Sequence, residues 1–275
     1  MRIRLTEVGY TYPGGVEALN GVTLQIEPGE QVAIVGQNGS GKTTLAKHLN
    51  GLLRPGAGRV EIGDWDTCDH TVAEMSRRVG YLFQNPGEQI FKTRVSDEVA
   101  FGLTCRGLPQ DEIKVRVHAV LERVNLASQY DTHPYELLPS QRKWVALASV
   151  LVLDNPILVL DEPTSGQDSQ GMARLGTLVS EIATEGKTTI VITHDMDFVA
   201  DYLERVVVMQ HGQIVLDGPK HEVLVRTREL ERSVEPPQIT RLAQGLDLSG
   251  QIVNVDEFLK AYSAVSRRPR VWNKV

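Results

Sequence analysis

The sequence predicts an α/β fold in which a parallel sheet carries an N-terminal antiparallel β subdomain, an inserted helical subdomain and a small C-terminal extension. Three continuous apolar runs, Gln31–Val35, Ile157–Asp161 and residues 188–193, are typical of central parallel strands that are covered on both faces. A glycine-rich loop and a helical pattern at residues 42–52 follow the first run, which makes one strand–loop–helix unit.

The antiparallel subdomain is predicted from two alternating segments, residues 2–8 and 22–28, which lie beside ProGlyGly and ProGlyGlu turns. Residues 205–209 and 213–217 predict a hairpin at the end of the main domain. Two consecutive prolines at 236–237 then mark a less regular C-terminal piece.

Helical patterns at residues 109–124 and 140–153, separated by a polar segment with HisProTyr, predict a helical subdomain inserted into the sheet domain. We therefore divide the chain into a main domain at 1–230, with the helical subdomain at about 86–153, and an extension at 231–275.

Length and composition restrict the classes of protein that the sequence can encode. The 275 residues are enough for one large α/β domain with a small appendage. No apolar stretch reaches the length needed to cross a bilayer, and the first residues lack the apolar core of a signal peptide. At a membrane, another chain must therefore provide the anchor. The net charge of −6 argues against non-specific nucleic-acid binding.

Two cysteines and a basic tail are assigned no function. Cys68 and Cys105 match no metal-binding spacing, and a reduced pair in the cytosol is favoured over a disulfide. The tail SerArgArgProArg, at residues 266–270, is typical of a solvated terminus.

The loop GlyGlnAsnGlySerGlyLysThr, at residues 36–43, fits the Walker A phosphate-binding pattern between a strand and a helix. Its glycines allow backbone N–H groups to close around phosphate oxygens, Lys42 supplies positive charge at the β- and γ-phosphates, and Thr43 offers a hydroxyl to Mg²⁺. An ordinary glycine turn with a chance lysine does not explain the flanking elements. The predicted nucleotide contacts of this region are Gly36, Gln37, Asn38, Gly39, Ser40, Gly41, Lys42, Thr43 and Thr44.

Two carboxylates, Asp161 and Glu162, follow an apolar strand at the edge where open α/β sheets bind ligands. A buried strand that ends in two carboxylates indicates that these groups bind a cation or a water molecule. Asp161 is thus a candidate ligand of Mg²⁺, directly or through water, and Glu162 a candidate general base for an attacking water.

Three further residues are weaker candidates when taken one at a time. His194 ends another predicted strand at the same sheet edge, although a lone histidine is more often a surface residue than a catalytic one. Gln84 follows a short apolar strand, where its amide can contact Mg²⁺, water or only a loop backbone. Tyr12 can stack on a base or simply pack at a strand end.

Taken in this order, the segments resemble the nucleotide-binding subunits of ATP-binding-cassette (ABC) transporters over about residues 1–230. The resemblance implies ATP and Mg²⁺ as cofactors and gives each motif a family role. Those roles are the adenine-stacking loop with Tyr12, Walker A at 36–43, the Q-loop glutamine Gln84, the Walker B aspartate Asp161, the catalytic glutamate Glu162, the D-loop at 165–168 and the switch histidine His194.

Within that family, residues 84–91 and 95–102, together with the tail at 235–246, are similar to the ATPases of energy-coupling-factor (ECF) and cobalt-type importers, which take up vitamins or transition-metal ions. The resemblance implies a peripheral position at the cytoplasmic face of the cell membrane. It also implies three partners: a second ABC ATPase subunit, the same or different, a transmembrane coupling protein and a membrane substrate-binding protein. Residues 237–246 carry spaced apolar residues that predict a short dimerisation helix, or one that packs on the main domain.

One segment departs from the family pattern. Where the signature LeuSerGlyGlyGln is expected, residues 137–141 read LeuLeuProSerGln. Two functions therefore remain as alternatives: a hydrolytic transport motor, and a regulatory subunit that binds ATP with little turnover. Two other classes are disfavoured: soluble ABC ATPases of DNA or ribosomes would carry coiled-coil insertions or two cassettes, and P-loop kinases do not explain Gln84, Asp168 and His194 in this order.

Overall fold

The computed structural model describes residues 1–266 and contains two sheets. The larger sheet has six strands in the order β10-β9-β3-β8-β7-β6, and the smaller has four in the order β2-β1-β4-β5. The strands are β1 (Ile3–Thr11), β2 (Glu17–Ile26), β3 (Gln31–Val35), β4 (Ala57–Ile62), β5 (Trp65–Asp66), β6 (Val79–Leu82), β7 (Ile157–Asp161), β8 (Thr188–Ile192), β9 (Arg205–Gln210) and β10 (Gln213–Pro219).

Helices surround the larger sheet and form the inserted subdomain and the C-terminal extension. The helices are α1 (Lys42–Leu49), α2 (Val72–Met75), α3 (Val95–Cys105), α4 (Gln110–Arg123), α5 (Pro139–Leu151), α6 (Ser169–Thr184), α7 (Met196–Tyr202), α8 (Lys220–Val223), α9 (Thr227–Leu230), α10 (Gln238–Gly245) and α11 (Val255–Ser266).

The predicted central strands are confirmed. In β3, β7 and β8 every residue is buried, and β8 pairs in parallel with both of the others. The predicted terminal hairpin is β9 and β10, which pair antiparallel. Because β8 lies between β3 and β7, the segments that follow these three strands emerge side by side at one edge of the sheet.

Strand β3 contributes to two apolar cores, since successive side chains of a strand point to opposite faces. Val32 and Ile34 pack with the antiparallel sheet and α1, whereas Ala33 and Val35 pack with the helical side of the molecule. All four are fully buried. Burial of each of the three larger side chains, Val32, Ile34 and Val35, contributes about 1.5–3 kcal/mol.

The antiparallel subdomain is confirmed as well. Strand β1 pairs antiparallel with β2 and with β4, with Ile3 opposite both Ile26 and Ile62. Those three side chains are fully buried, so the subdomain covers one face of the larger sheet. The alternation in the sequence is the pattern expected for strands with one solvated face.

One predicted helix is shorter than expected, and one helix was missed. The helix predicted at 42–52 ends at Leu49, because Gly51 adopts φ 74° in the left-handed region that ends helices. Helix α3 was not predicted at all. It begins at Val95 without a side-chain cap among the described residues, and it contains Gly102, whose missing side chain lets Leu153 approach closely.

The other helix predictions are close. The helix predicted at 109–124 is α4, and the one predicted at 140–153 is α5, which begins one residue earlier because Pro139 occupies its first position. Cys68 and Cys105 are both free. Of the helices in residues 1–266, none has the length and apolar character that a bilayer crossing requires.

The C-terminal extension contains α10 within the segment predicted to be helical, and also α11, which was not predicted. Val253, between these two helices, is fully buried in the main apolar core, so the extension packs on the main domain. The solvated tail predicted for 266–270 lies, from Arg267 onward, outside the described residues.

Candidate nucleotide and catalytic site

The glycine-rich loop joins β3 to α1 at the edge described above. Gly36, Gly39 and Gly41 have φ 153°, 80° and 103°, which residues with a side chain rarely adopt. A Cβ on Gly36 would lie 2.3 Å from the Met209 carbonyl oxygen, and one on Gly41 would lie 2.5 Å from that of Ala18. Close backbone packing therefore requires glycine here.

Lys42 directs its ammonium into this loop. Its Nζ donates to the carbonyl oxygens of Gly36 and Gln37 at 2.8 and 2.9 Å. Burial lowers the pKa of Lys42, while the nearby Glu162 and Asp161 carboxylates act in the opposite direction. A buried ammonium whose hydrogen bonds in the described chain go to carbonyl oxygens is well suited to a phosphate.

The same loop holds a polar atom without a partner. The hydroxyl of Ser40 is buried and makes no hydrogen bond within residues 1–266. Buried hydroxyls are normally hydrogen-bonded. Together with the positive end of α1, which no side chain caps in the described chain, this hydroxyl fits the loop to an anionic ligand such as a nucleotide phosphate.

Thr43 and Asp161 form a pair of oxygen donors beside the loop. Thr43 Oγ1 donates to Asp161 Oδ1 at 3.4 Å, a long contact, and the hydroxyl of Tyr81 donates to Asp161 Oδ2 at 3.0 Å. Burial raises the pKa of Asp161, which the hydrogen bonds from Tyr81 and Thr43 partly offset. A hydroxyl and a carboxylate with a neighbouring phosphate are the ligands that Mg²⁺ prefers, so this pair fits the cation.

Tyr81 is a site residue that the sequence analysis missed. It lies on β6, next to β7, with a side chain that is buried. Burial, followed by the nearby Asp161 charge, raises the pKa of its hydroxyl, so it remains a donor. The only signal in the sequence is a hydroxyl in an otherwise apolar strand.

Glu162 comes directly after β7 and contacts His194, which follows β8. His194 Nδ1 lies 3.0 Å from Glu162 Oε2, and the histidine side chain is 69% exposed whereas that of glutamate is 9% exposed. Glu162 has φ 48°, a left-handed conformation that costs about 1–3 kcal/mol for a residue other than glycine. Two residues predicted separately are thus brought together, and the carboxylate is held in a strained backbone.

Gln84 and Tyr12 lie at the margins of the site. The Gln84 side chain is exposed just beyond β6, and the backbone there is held by Gln89, which accepts from Phe83 N at 3.3 Å and donates to Ala146 O at 3.0 Å. The hydroxyl of Tyr12 lies 3.0 Å from Thr44 Oγ1. Tyr12 is therefore next to the first turn of α1.

The altered signature segment forms the start of α5. Leu138 is the residue before the helix and is 66% exposed, and its N–H donates to Gln141 Oε1 at 3.1 Å. Pro139 occupies the first helical position, as its fixed φ and missing N–H allow. The helix start is intact although the chemistry of the segment differs.

A family model described as "ABC transporter" matches residues 19–165, which include the glycine loop, Asp161 and Glu162. The chain belongs to the ABC transporter family of ATP-binding proteins. The sequence-based assignment to this family and to its α/β fold is therefore confirmed.

Known relatives include members of the ECF class. The chain is 38% identical to the energy-coupling factor transporter ATP-binding protein EcfA of Methanothermobacter thermautotrophicus, over 92% of this chain and 82% of the relative. It is also 40–42% identical to three ABC transporter ATP-binding proteins from Methanosarcina and Caldanaerobacter species, but spans only 43–46% of their length.

The solved structures that resemble this one include the following two. CbiO1 of Clostridium perfringens, described as part of the ABC transporter complex CbiONQ, has a TM-score of 0.75 and 34% identity over 90% of this chain and 98% of its own. A dimeric ATP-binding cassette in a post-hydrolysis state with ADP and Pi has a TM-score of 0.74 and 28% identity, over 79% of this chain and 98% of its own.

We predict that Tyr81→Phe loosens the Asp161 carboxylate while leaving the fold intact. Loss of the donor leaves a buried oxygen unpaired and lowers the free energy of unfolding by about 1–3 kcal/mol. The Mg²⁺ concentration for half-maximal ATP binding should rise severalfold, as measured by a Mg²⁺ titration with a fluorescent nucleotide. The control is Tyr130→Phe, whose ring stacks on His118 in the helical subdomain. Equal Mg²⁺ requirements in the two variants would contradict the role given to Tyr81.

Proposed function

We propose that this chain is the ATP-binding and hydrolysing subunit of an ECF-type membrane importer, and that it acts peripherally at the cytoplasmic face of the membrane. The cargo class is a vitamin or a transition-metal ion. The observation that carries the proposal is the convergence of Lys42, Asp161 and the Glu162–His194 pair at one sheet edge. Similarity to EcfA and CbiO1 supports the ECF class.

Binding of ATP is assigned to the loop at 36–43. Its backbone N–H groups, the Lys42 ammonium and the Ser40 hydroxyl would hold the phosphates, and Tyr12, beside the first turn of α1, would stack on the base. Thr43 and Asp161 would hold Mg²⁺, with Gln84 as a further ligand, and the ion neutralises charge on the β- and γ-phosphates when bound.

Hydrolysis is assigned to Glu162 as the general base. Its carboxylate accepts a proton from the attacking water, and Lys42 stabilises the charge that develops on the phosphoryl oxygens. His194 orients the carboxylate through the 3.0 Å contact and, being largely exposed, can turn towards a γ-phosphate. The net charge of −6 gives no support to a nucleic-acid partner.

We expect Glu162→Gln to retain ATP binding and to lose about 10²–10⁴ of the rate of ATP hydrolysis, because the amide keeps the shape of the side chain but cannot take a proton. Phosphate release under saturating ATP measures the rate, and nucleotide affinity is measured in parallel. Glu222→Gln, an exposed glutamate on α8, is the matched control. Wild-type turnover in Glu162→Gln would overturn the proposed function.

Docking on the transmembrane coupling protein is assigned to an apolar groove of about 250 Å³ beside β6 and α3. Four apolar side chains in its lining are exposed: Leu52, Val72, Phe91 and Phe101. The ammonium of Lys92 lies 5.1 and 4.7 Å from the two phenylalanine rings. We propose that a short cytoplasmic helix fills this groove, since exposed apolar patches of this kind mark interaction surfaces.

Glu88, exposed next to this groove, would pair with an arginine of that helix. We expect Glu88→Arg to reduce co-purification with the membrane proteins from mild detergent about tenfold, because it places like charges together. Nucleotide affinity should not change. Glu122→Arg, on α4, is the control for the added charge. Unchanged recovery of the membrane proteins with Glu88→Arg would remove the assigned contact.

We also propose an asymmetric pair of ATPase subunits, in which this chain's Walker site is efficient and its altered signature faces a weaker site on the partner. In the family, ATP lies between Walker A of one subunit and the signature of the other. Leu138 has no hydroxyl for a γ-phosphate, and Pro139 has no N–H to donate. Loss of two charge-assisted hydrogen bonds amounts to about 3–6 kcal/mol.

The second candidate function, a regulatory subunit that binds ATP and clamps a dimer with little turnover, is favoured by the same substitution. In a homodimer both sites would face LeuLeuProSerGln and both would be slow. The intact start of α5 keeps its positive end, so a weak site remains in either case.

Restoring the signature with Leu138→Ser, Pro139→Gly and Ser140→Gly, in the isolated chain and in the assembled transporter, tests whether the altered signature limits ATP hydrolysis. We expect the restored homodimer to hydrolyse ATP about 10²–10⁴ times faster than the natural chain, in proportion to the lost hydrogen bonds. The restored chain with Glu162→Gln is the control and should be slow again. A restored homodimer no faster than the natural one would show that the altered signature does not limit the rate.

Association of the ATPase subunits is assigned in part to the C-terminal extension. Helix α10 buries Thr240 and Ala243 but leaves Leu242 about half exposed, as is Leu246 directly after the helix, and α11 exposes Leu259 to a similar degree. This uncovered face supports dimerisation. Because truncation would also remove the buried Val253, the test is light scattering of the double variant Leu242→Gln and Leu246→Gln, and unchanged self-association would count against the assignment.

A further inference from the structure

Helix α5 carries a buried lysine that the proposed mechanism does not use. Lys143 is 6% exposed, and its Nζ donates to the carbonyl oxygen of Glu162 at 2.7 Å and to that of Ser165 at 2.8 Å. Burial lowers the pKa of Lys143, and the Glu162 and Asp161 charges oppose this shift. Burial of a charged ammonium costs free energy unless its N–H groups are hydrogen-bonded. The two carbonyl oxygens therefore account for a lysine at this position.

The two carbonyl groups belong to the two ends of one turn. Glu162 opens the turn in the left-handed conformation, and Ser165 closes it with an N–H that reaches the Glu162 carbonyl oxygen only at 3.3 Å. The turn is also held by the 2.8 Å contact between the hydroxyls of Thr164 and Thr193, the residue that follows β8. The Lys143 ammonium holds the opposite side, where the helical subdomain approaches.

The next residue of α5 makes a second connection to the same region. Trp144 Nε1 donates to Gln167 Oε1 at 2.9 Å, and Gln167 Nε2 reaches back to the Ser140 carbonyl oxygen at 3.4 Å. The guanidinium of Arg174 lies 3.7 Å from the centre of the Trp144 ring. The start of α5 and the segment after Glu162 are therefore joined at several points.

We propose that Lys143 is a positioning residue for ATP hydrolysis. It holds the Glu162 backbone so that the carboxylate stays directed at the attacking water. It thereby connects α5, the helix that begins with the altered signature, to this chain's own catalytic carboxylate. This proposal rests on the role of Glu162 given above. Any displacement of α5 relative to β7 would act on the Glu162 turn, because the ammonium bridges the two. Such a connection acts within one subunit, whereas the signature acts on the nucleotide of the other.

The test is Lys143→Met in the full chain, with phosphate release and ATP affinity measured separately. Methionine fills a similar volume but donates no hydrogen bond. We expect kcat to fall about 10- to 100-fold with KM for ATP changed less than about threefold, because the loop that binds the phosphates is untouched. Lys143→Arg, which keeps charge and donors, should recover kcat to within about fivefold of the natural chain. Lys220→Met is the matched control, since Lys220 is also buried but pairs with Glu204 away from the site.

A double variant distinguishes positioning from loss of structure. With Glu162→Gln already present, Lys143→Met should lower the residual rate less than about threefold, because a residue that acts through Glu162 has nothing left to position. An equal fall in both backgrounds would assign Lys143 a purely structural role and overturn the proposal. If Lys143→Met keeps the kcat of the natural chain while Glu162→Gln is inactive, this inference alone is overturned. If Glu162→Gln is itself active, the proposed function is overturned. If Lys143→Met does not fold, Lys143→Gln decides, since it should show an intermediate kcat.

Discussion

Burial of opposite charges at one edge of the central sheet is the constraint on which the rest of the molecule depends. The Lys42 ammonium and the Asp161 and Glu162 carboxylates are all nearly inaccessible, and each would be costly alone. The attraction of Lys42 for both carboxylates, and the hydrogen bonds of these groups to the loop, to Tyr81 and to His194, offset that cost. The strands that end at this edge therefore have to end where they place these charged groups within reach of one another.

Much of the fold could be predicted because its strands are distinctive in sequence. The runs at Gln31–Val35 and Ile157–Asp161 are apolar throughout, and the sheet covers both faces of each, so pattern and structure agree residue by residue. Helix α3 is different. Its packing includes the close approach of Leu153 to Gly102, a contact between distant segments that local propensity does not register. The same holds for α11, which joins α8 through Glu257 and His221 at 2.8 Å.

The residues of the candidate site likewise fall into those that belong to local sequence patterns and those that depend on distant contacts. Residues 36–43, Asp161 and Glu162 were predicted since their types and spacing form local patterns, and the structure brings them to one edge with His194. Tyr81 and Lys143 were not, because each matters only through a partner far along the chain. Gln84 is the opposite case, since its sequence motif is clear but its exposed side chain has no fixed partner in the described chain.

The position of β3 determines when the nucleotide loop can acquire its shape during synthesis. Both neighbours of β3, the strands β8 and β9, belong to the last third of the described chain, and the Met209 carbonyl that packs on Gly36 lies at the end of β9. A ribosome that has released only the first half of the chain therefore exposes an apolar strand with two unpaired edges. Such edges favour aggregation. The order of strands in the sheet thus makes the nascent chain dependent on late pairing or on a chaperone until β9 emerges.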